Sequence, residues 1–254
     1  MRKARYLQTL TTGAAFLAVL AFGVVTTPTT GKAANDNNGA QDEKQMVEIG
    51  LAVAASDGIQ LKMEGKDRDM VGLGSYLVNV IGDCNGCHTA DPSVAYTVPG
   101  NPYLLRPPNG PFSGVKKINP DTYLRGGSDF GVFPSPGGSV HIVSRNLTPG
   151  KSGLPALDLT LADFKKILRT GIDPDLAHPN CSLTATPPIT TNCLLGLPGF
   201  NNPPVPPFDG TKLLVMPWPA FQNMTDRQIE AMYVYLSTIP CLEGGPGEKP
   251  NRCK

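Results

Sequence analysis

Apolar residues recur at helical spacing in three well-separated stretches of the chain. The first runs roughly from Met70 to Asp83, where Val71, Leu73, Leu77, Val78, Val80 and Ile81 form a broad apolar face interrupted by Gly72 and Gly74. The second runs from about Leu161 to Arg169. Thr160 and Asp163 open it with a capping-box pattern, and Gly171 stops it. The third is the clearest: Thr225 and Gln228 make another capping box, Ile229, Met232, Tyr233, Tyr235 and Leu236 supply the buried face, and Pro240 ends it. A fourth stretch, from Gln41 to Ser56, fits a strand nearly as well as a helix.

The intervals between these helices are long and rich in turn formers. Residues 89–157 hold 11 Pro and 10 Gly, and residues 174–220 hold another 11 Pro. Both read as irregular, and loops beyond about 12–15 residues are uncommon in compact domains unless they serve a function. Three short helices bury too little apolar surface to order so much loop. A large apolar prosthetic group would supply the missing core.

At the end of the first helix stands Cys84-Asn85-Gly86-Cys87-His88, the C-x-x-C-H pattern of covalent haem attachment. Two thiols separated by two residues can each add to one of the haem's adjacent vinyl groups, and His88 then offers a ring nitrogen to the iron. Small Asn85 and Gly86 suit the tight turn. A thioredoxin-like dithiol would instead open a helix that follows a strand, whereas this pair closes one. A zinc site needs further ligands, and the sequence has neither a second C-x-x-C nor paired histidines. One haem c per chain is therefore expected, held by Cys84 and Cys87. His88 needs its second ring nitrogen hydrogen-bonded to fix its tautomer.

With that motif in place, the sequence resembles the monohaem class I cytochromes c and the haem domains in cytochrome subunits of bacterial alcohol and aldehyde dehydrogenases. Gly74-Ser75-Tyr76-Leu77-Val78 ahead of CNGCH is similar to the family's first helix. Gly126-Gly127, Arg145-Asn146-Leu147-Thr148-Pro149 and Arg169-Thr170-Gly171 follow in the family's order. Met216-Pro217-Trp218, then Met224-Thr225-Asp226 and the Tyr233–Leu236 helix, resemble its C-terminal signature. The resemblance covers about Met70 to Ile239. It implies a mostly α-helical cytochrome c-like fold, with crossed N- and C-terminal helices and long loops wrapping the haem.

It also implies a methionine sulfur on the iron's far side, which carries over to Met216. Met224 is the rival, and Met232 belongs to the apolar face of the last helix. His141 and His178 stand in Pro/Gly-rich loops without matching context. Trp218, the only tryptophan, and Arg145 are candidates for haem propionate contacts. The chain departs from the dehydrogenase-subunit pattern in having a single CxxCH and a longer approach to Met-Pro, from Asp173 to Leu214.

Arg2, Lys3 and Arg5, the apolar run Gly13 to Val25 and Gly31-Lys32-Ala33 read as a secretory signal, with an uncleaved anchor as the alternative. The expected organisation is a signal peptide over 1–33, an N-terminal extension over 34–69, a haem domain over 70–240 and a tail over 241–254. Cleavage after Ala33 takes the chain from a formal charge of +1 to 18 basic against 21 acidic residues. With no Lys/Arg-rich stripe, nucleic acid is not an expected partner. Export permits disulfides, and Cys181 with Cys193 and Cys241 with Cys253 are the short-range pairs.

These readings converge on a periplasmic or otherwise exported electron carrier, not an enzyme. Its expected partners are redox proteins: a dehydrogenase or other donor, and a terminal oxidase or other acceptor. The alternatives are a haem-bearing subunit of a membrane-associated dehydrogenase complex, reaching the membrane through a partner, and an open-site haem enzyme or gas-binding protein.

Overall fold

In the computed structural model, described for residues 36–104, 112–135, 138–172, 212–243 and 251–254, the stretch from Gln41 to Ser56 is helical. Helix α1 spans Asp36–Ser56. The choice between helix and strand is made by tertiary packing. Val47 and Ala54, seven residues apart, both enter the core, and Gly50 lies with its Cα against the carbonyl of Gly72 on the next helix. The described residues from 37 onward form one compact unit.

Helix α2 runs Arg68–Tyr76. The Asp67 side chain caps it, accepting from the amides of Asp69 and Met70 at 2.9 and 3.0 Å. The chain then widens into a π-helical turn, Leu77–Ile81. Gly82 and Asp83 break it, Asp83 taking φ 40° in the left-handed region. The cysteine pair therefore does not close the preceding helix, as the sequence suggested; it forms a separate turn, α3, Cys84–Cys87.

A second difference lies in the 89–157 stretch. It contains an antiparallel hairpin, β1 Asp129–Ser135 and β2 Gly138–Val143, with an irregularity between Asp129 and Val132. A single turn, α4, Pro155–Asp158, leads to α5, Leu161–Thr170. Thr160 caps α5 through the Asp163 amide, and Gly171 ends it at φ 73°. A further short turn, α6, Trp218–Phe221, precedes α7, Asp226–Leu236, whose Thr225/Gln228 capping box is complete in both directions. The architecture is thus partly helical with little sheet. No helix among the described residues is long and apolar enough to cross a membrane.

The core forms where α2 packs on α7. Val71, Leu73 and Val78 meet Ile229, Met232, Tyr235 and Leu236, with Phe164, Ile167 and Leu168 of α5 beside them. Gly74 allows the close approach: a β-carbon there would overlap the carbonyl of Ala231. Behind this contact a buried polar cluster ties three elements. Asn79 donates to Ser75 Oγ at 3.1 Å and to Tyr235 Oη at 3.0 Å. Tyr123 donates to Asn79 Oδ1 at 2.6 Å and lies 2.7 Å from Tyr235 Oη. Burial pushes the Tyr235 hydroxyl up to about 12; it stays protonated and able to donate.

Ion pairs fasten the remaining helices. Arg227 reaches Glu43 at 2.8 Å, Arg68 reaches Glu48 at 2.9 Å, and Arg169 reaches Asp226 at 2.6 Å. These are exposed and contribute little. Asp57, at the end of α1, differs because it is only 2% exposed. Lys116 meets it at 2.9 Å. Lys116→Met leaves that carboxylate buried without its cation, so a loss of about 2 kcal/mol in urea-unfolding stability is expected. An unchanged midpoint would contradict that assignment. The predicted Cys241–Cys253 disulfide is present; Cys181, Cys193 and His178 lie outside the described residues.

Candidate haem attachment site

Cys84 and Cys87 stand three residues apart on the single turn α3, so both sulfurs leave the same face. Both are free thiols, Cys84 half-buried and Cys87 exposed. Burial, the Asp83 carboxylate and the neighbouring Cys87 push the Cys84 thiol up to about 12. Between them Asn85 is buried, and its Oδ1 accepts the Leu124 amide at 2.8 Å. The turn is thereby anchored to the loop that follows it.

His88 is fixed on two sides. Its Nδ1 lies 2.7 Å from the carbonyl oxygen of Arg145. A carbonyl only accepts, so Nδ1 carries the proton and Nε2 keeps its lone pair. The His88 carbonyl in turn accepts the Gly126 amide at 2.9 Å. Burial holds the imidazole below its ordinary value; the Arg145 hydrogen bond opposes this, and the Arg145 charge reinforces it. The ring is neutral, as a metal ligand must be.

The loop 122–128 and the segment 144–148 run together to build this cradle. Leu147 donates to the Leu124 carbonyl at 2.8 Å, and Gly127 to the Ser144 carbonyl at 2.8 Å. Gly126, at φ 72°, lies against the peptide that joins Arg145 to Asn146, where a β-carbon would sit 2.5 Å from the Arg145 carbonyl carbon. Gly126 is therefore needed to bring the Arg145 carbonyl to His88. The acceptor that His88 requires is not visible in the sequence, because it is a backbone carbonyl 57 residues away.

The other candidates are placed as follows. Met216 and Met224 are both partly buried and packed against the core, and Met232 is in the core, 4% exposed. Met216 follows a strand-like contact in which Leu213 donates to the Gly171 carbonyl at 2.9 Å. The Trp218 indole packs on Gly171, with Lys212 Nζ 5.2 Å from its ring centre. Arg145 is half-buried beside His88. His141 lies on β2. Two clefts of about 490 and 160 Å³ lie elsewhere: the larger is lined by Lys66, Asp67, Arg227 and Glu230, the smaller by Ile59, Ile118 and Leu242 among others.

The residues present fit a c-type haem. Two free sulfurs share one helical turn, and the adjacent neutral imidazole donates its Nδ1–H to a carbonyl and keeps a lone pair on Nε2. No protein-family model, curated protein or solved structure matches the chain.

Proposed function

We propose that the chain is an exported electron-transfer protein of the c-type cytochrome class, carrying one covalent haem. The observation that carries this reading is the His88 Nδ1 to Arg145 oxygen hydrogen bond next to two free thiols on one turn. Cys84 and Cys87 would hold the haem through thioether bonds. His88 Nε2 and the Met216 sulfur would be the protein groups that hold the iron. Bound haem supplies a one-electron couple, Fe(III)/Fe(II).

The chain's own residues then set how that couple behaves. The Arg145 carbonyl raises the donor strength of the imidazole and holds the ring plane. A soft thioether from Met216 favours Fe(II) and raises the potential. Trp218 and Arg145 remain the candidates for contact with the propionates. With His88 and Met216 both given to the iron, no coordination position would be left for substrate. That is why electron transfer is favoured over an enzyme or gas carrier.

Two further observations support the reading. Burial and the Asp83 carboxylate push the Cys84 thiol up to about 12, so this sulfur is not held as a reactive thiolate. Val80 and Ile81, just before the attachment turn, are 43% and 63% exposed, which suits a neighbouring apolar macrocycle better than open water. The packing of α2 against α7 beside the motif is consistent with the class I arrangement. Partners are proposed to be redox proteins met in the periplasm.

The test is spectroscopic. The protein should take up and release one electron per chain, with a reduced form that binds carbon monoxide weakly or not at all. Rapid, complete binding at neutral pH would contradict a six-coordinate iron and favour an open-site haem protein.

A further inference from the structure

Among the described residues, the hydrogen bonds that the C-terminal tail makes to the rest of the chain converge on the His88 cradle. Asn146 Nδ2 donates to the Leu242 carbonyl at 3.1 Å, and the Leu242 amide donates to Thr148 Oγ1 at 3.1 Å. Arg252 Nη2 donates to the Thr148 carbonyl at 2.6 Å. Asn146 and Thr148 are fully buried, and Asn146 Oδ1 accepts from both the amide and hydroxyl of Thr148, at 2.9 and 2.7 Å. The tail also reaches the other wall of the cradle, where Arg125 Nε donates to the Glu243 carbonyl at 2.8 Å.

The two ends of the tail are joined to each other. The Cys241–Cys253 disulfide closes it. The Glu243 carboxylate accepts the amides of Arg252 and Cys253 at 3.1 and 3.2 Å. Residues 241–243 and 252–253 thus act as one clip across segment 144–148 and loop 122–128.

What the clip holds is decided by one peptide plane. The carbonyl that accepts from His88 Nδ1 and the amide of Asn146 belong to the same planar unit. Pinning the Asn146 side chain to Leu242 therefore restrains the direction of the Arg145 carbonyl, while Gly126 supports that plane from the other side. We propose that the disulfide-closed tail is a positioning device for the axial histidine: Leu242 and Arg252 hold Asn146 and Thr148, and through them keep the Arg145 carbonyl on His88. This rests on the reading of His88 as the iron ligand.

The consequence is electronic. A well-aligned carbonyl makes the imidazole a stronger donor, which favours Fe(III). A loosened carbonyl weakens that effect and raises the reduction potential. It also exposes the ring N–H to exchange through local opening.

The experiment uses the exported, haem-bearing full chain, in wild type, in a Cys241→Ser/Cys253→Ser double variant and in Arg252→Met. The last keeps the disulfide and removes the bond to Thr148. Exchange of the His88 ring N–H with solvent is followed by ¹⁵N NMR of the reduced protein, together with the midpoint potential. Both variants should exchange that proton faster, roughly 10-fold for the open tail, with a potential above wild type and an unchanged thioether–Fe(III) band.

Haem-bearing variants with wild-type exchange and potential would overturn the inference while leaving the functional reading intact. If the double variant does not fold, unaltered exchange and potential in Arg252→Met overturn it equally. A wild-type chain that carries no haem would take down the functional reading and this inference with it.

Discussion

Gly74→Val is expected to destabilise the protein by about 3 kcal/mol or more, the upper end of overpacking costs in well-packed cores. The reason is the kind of atom that would be met. A β-carbon at Gly74 overlaps the carbonyl oxygen of Ala231 and comes within 2.6 Å of the Ala231 carbonyl carbon and of Tyr235 Cβ. Backbone on backbone cannot turn aside as a flexible side chain can, so α2 and α7 must separate. Separation also opens the Asn79–Tyr123–Tyr235 cluster, leaving buried hydroxyls without partners. Gly39→Ala on α1 is the control, because nothing lies within 4 Å of the added carbon. There the better helix propensity should stabilise slightly, by up to about 1 kcal/mol. Urea-unfolding midpoints of the two variants should move in opposite directions; a Gly74→Val midpoint equal to wild type would contradict the close helix contact.

Met216→Ala is expected to lower the reduction potential by on the order of 0.1 V or more, within the ~0.8 V that axial ligands span. The thioether–Fe(III) charge-transfer band should disappear at the same time, and the reduced protein should gain carbon monoxide binding. Met224→Ala should leave all three unchanged. The comparison matters because both methionines are partly buried against the core, so burial does not choose between them. A band that survives Met216→Ala and vanishes in Met224→Ala would transfer the ligand role to Met224.

Local signals read well from the sequence because local chemistry decides them. The Thr225/Gln228 capping box and the Thr160 cap with its Gly171 stop appear where residue identity alone puts them. The Cys241–Cys253 pairing was legible from loop length. The hairpin at 129–143 was not: Pro and Gly are dense across its 89–157 surroundings, and they masked the short alternation of Phe130, Val132, Val140 and Ile142. The helical state of α1 depends on Gly50 meeting Gly72 on another element, which no single stretch encodes.

At the site the same division holds. The types and spacing of Cys84, Cys87 and His88 were plain in the chain. The break at Asp83 and the Arg145 carbonyl were not, because both are backbone geometry set by long-range contacts. Asn85 looked like a turn residue chosen for size; its buried amide oxygen in fact ties the turn to Leu124.

The most direct measurement is acid–acetone extraction of the mature protein, made and exported in a host with haem-attachment machinery. The account predicts that the colour stays with the wild-type polypeptide and is extracted from, or never acquired by, a Cys84→Ser/Cys87→Ser variant. Colour that leaves the wild-type chain in the solvent, or a wild-type chain made under those conditions without colour, would contradict it.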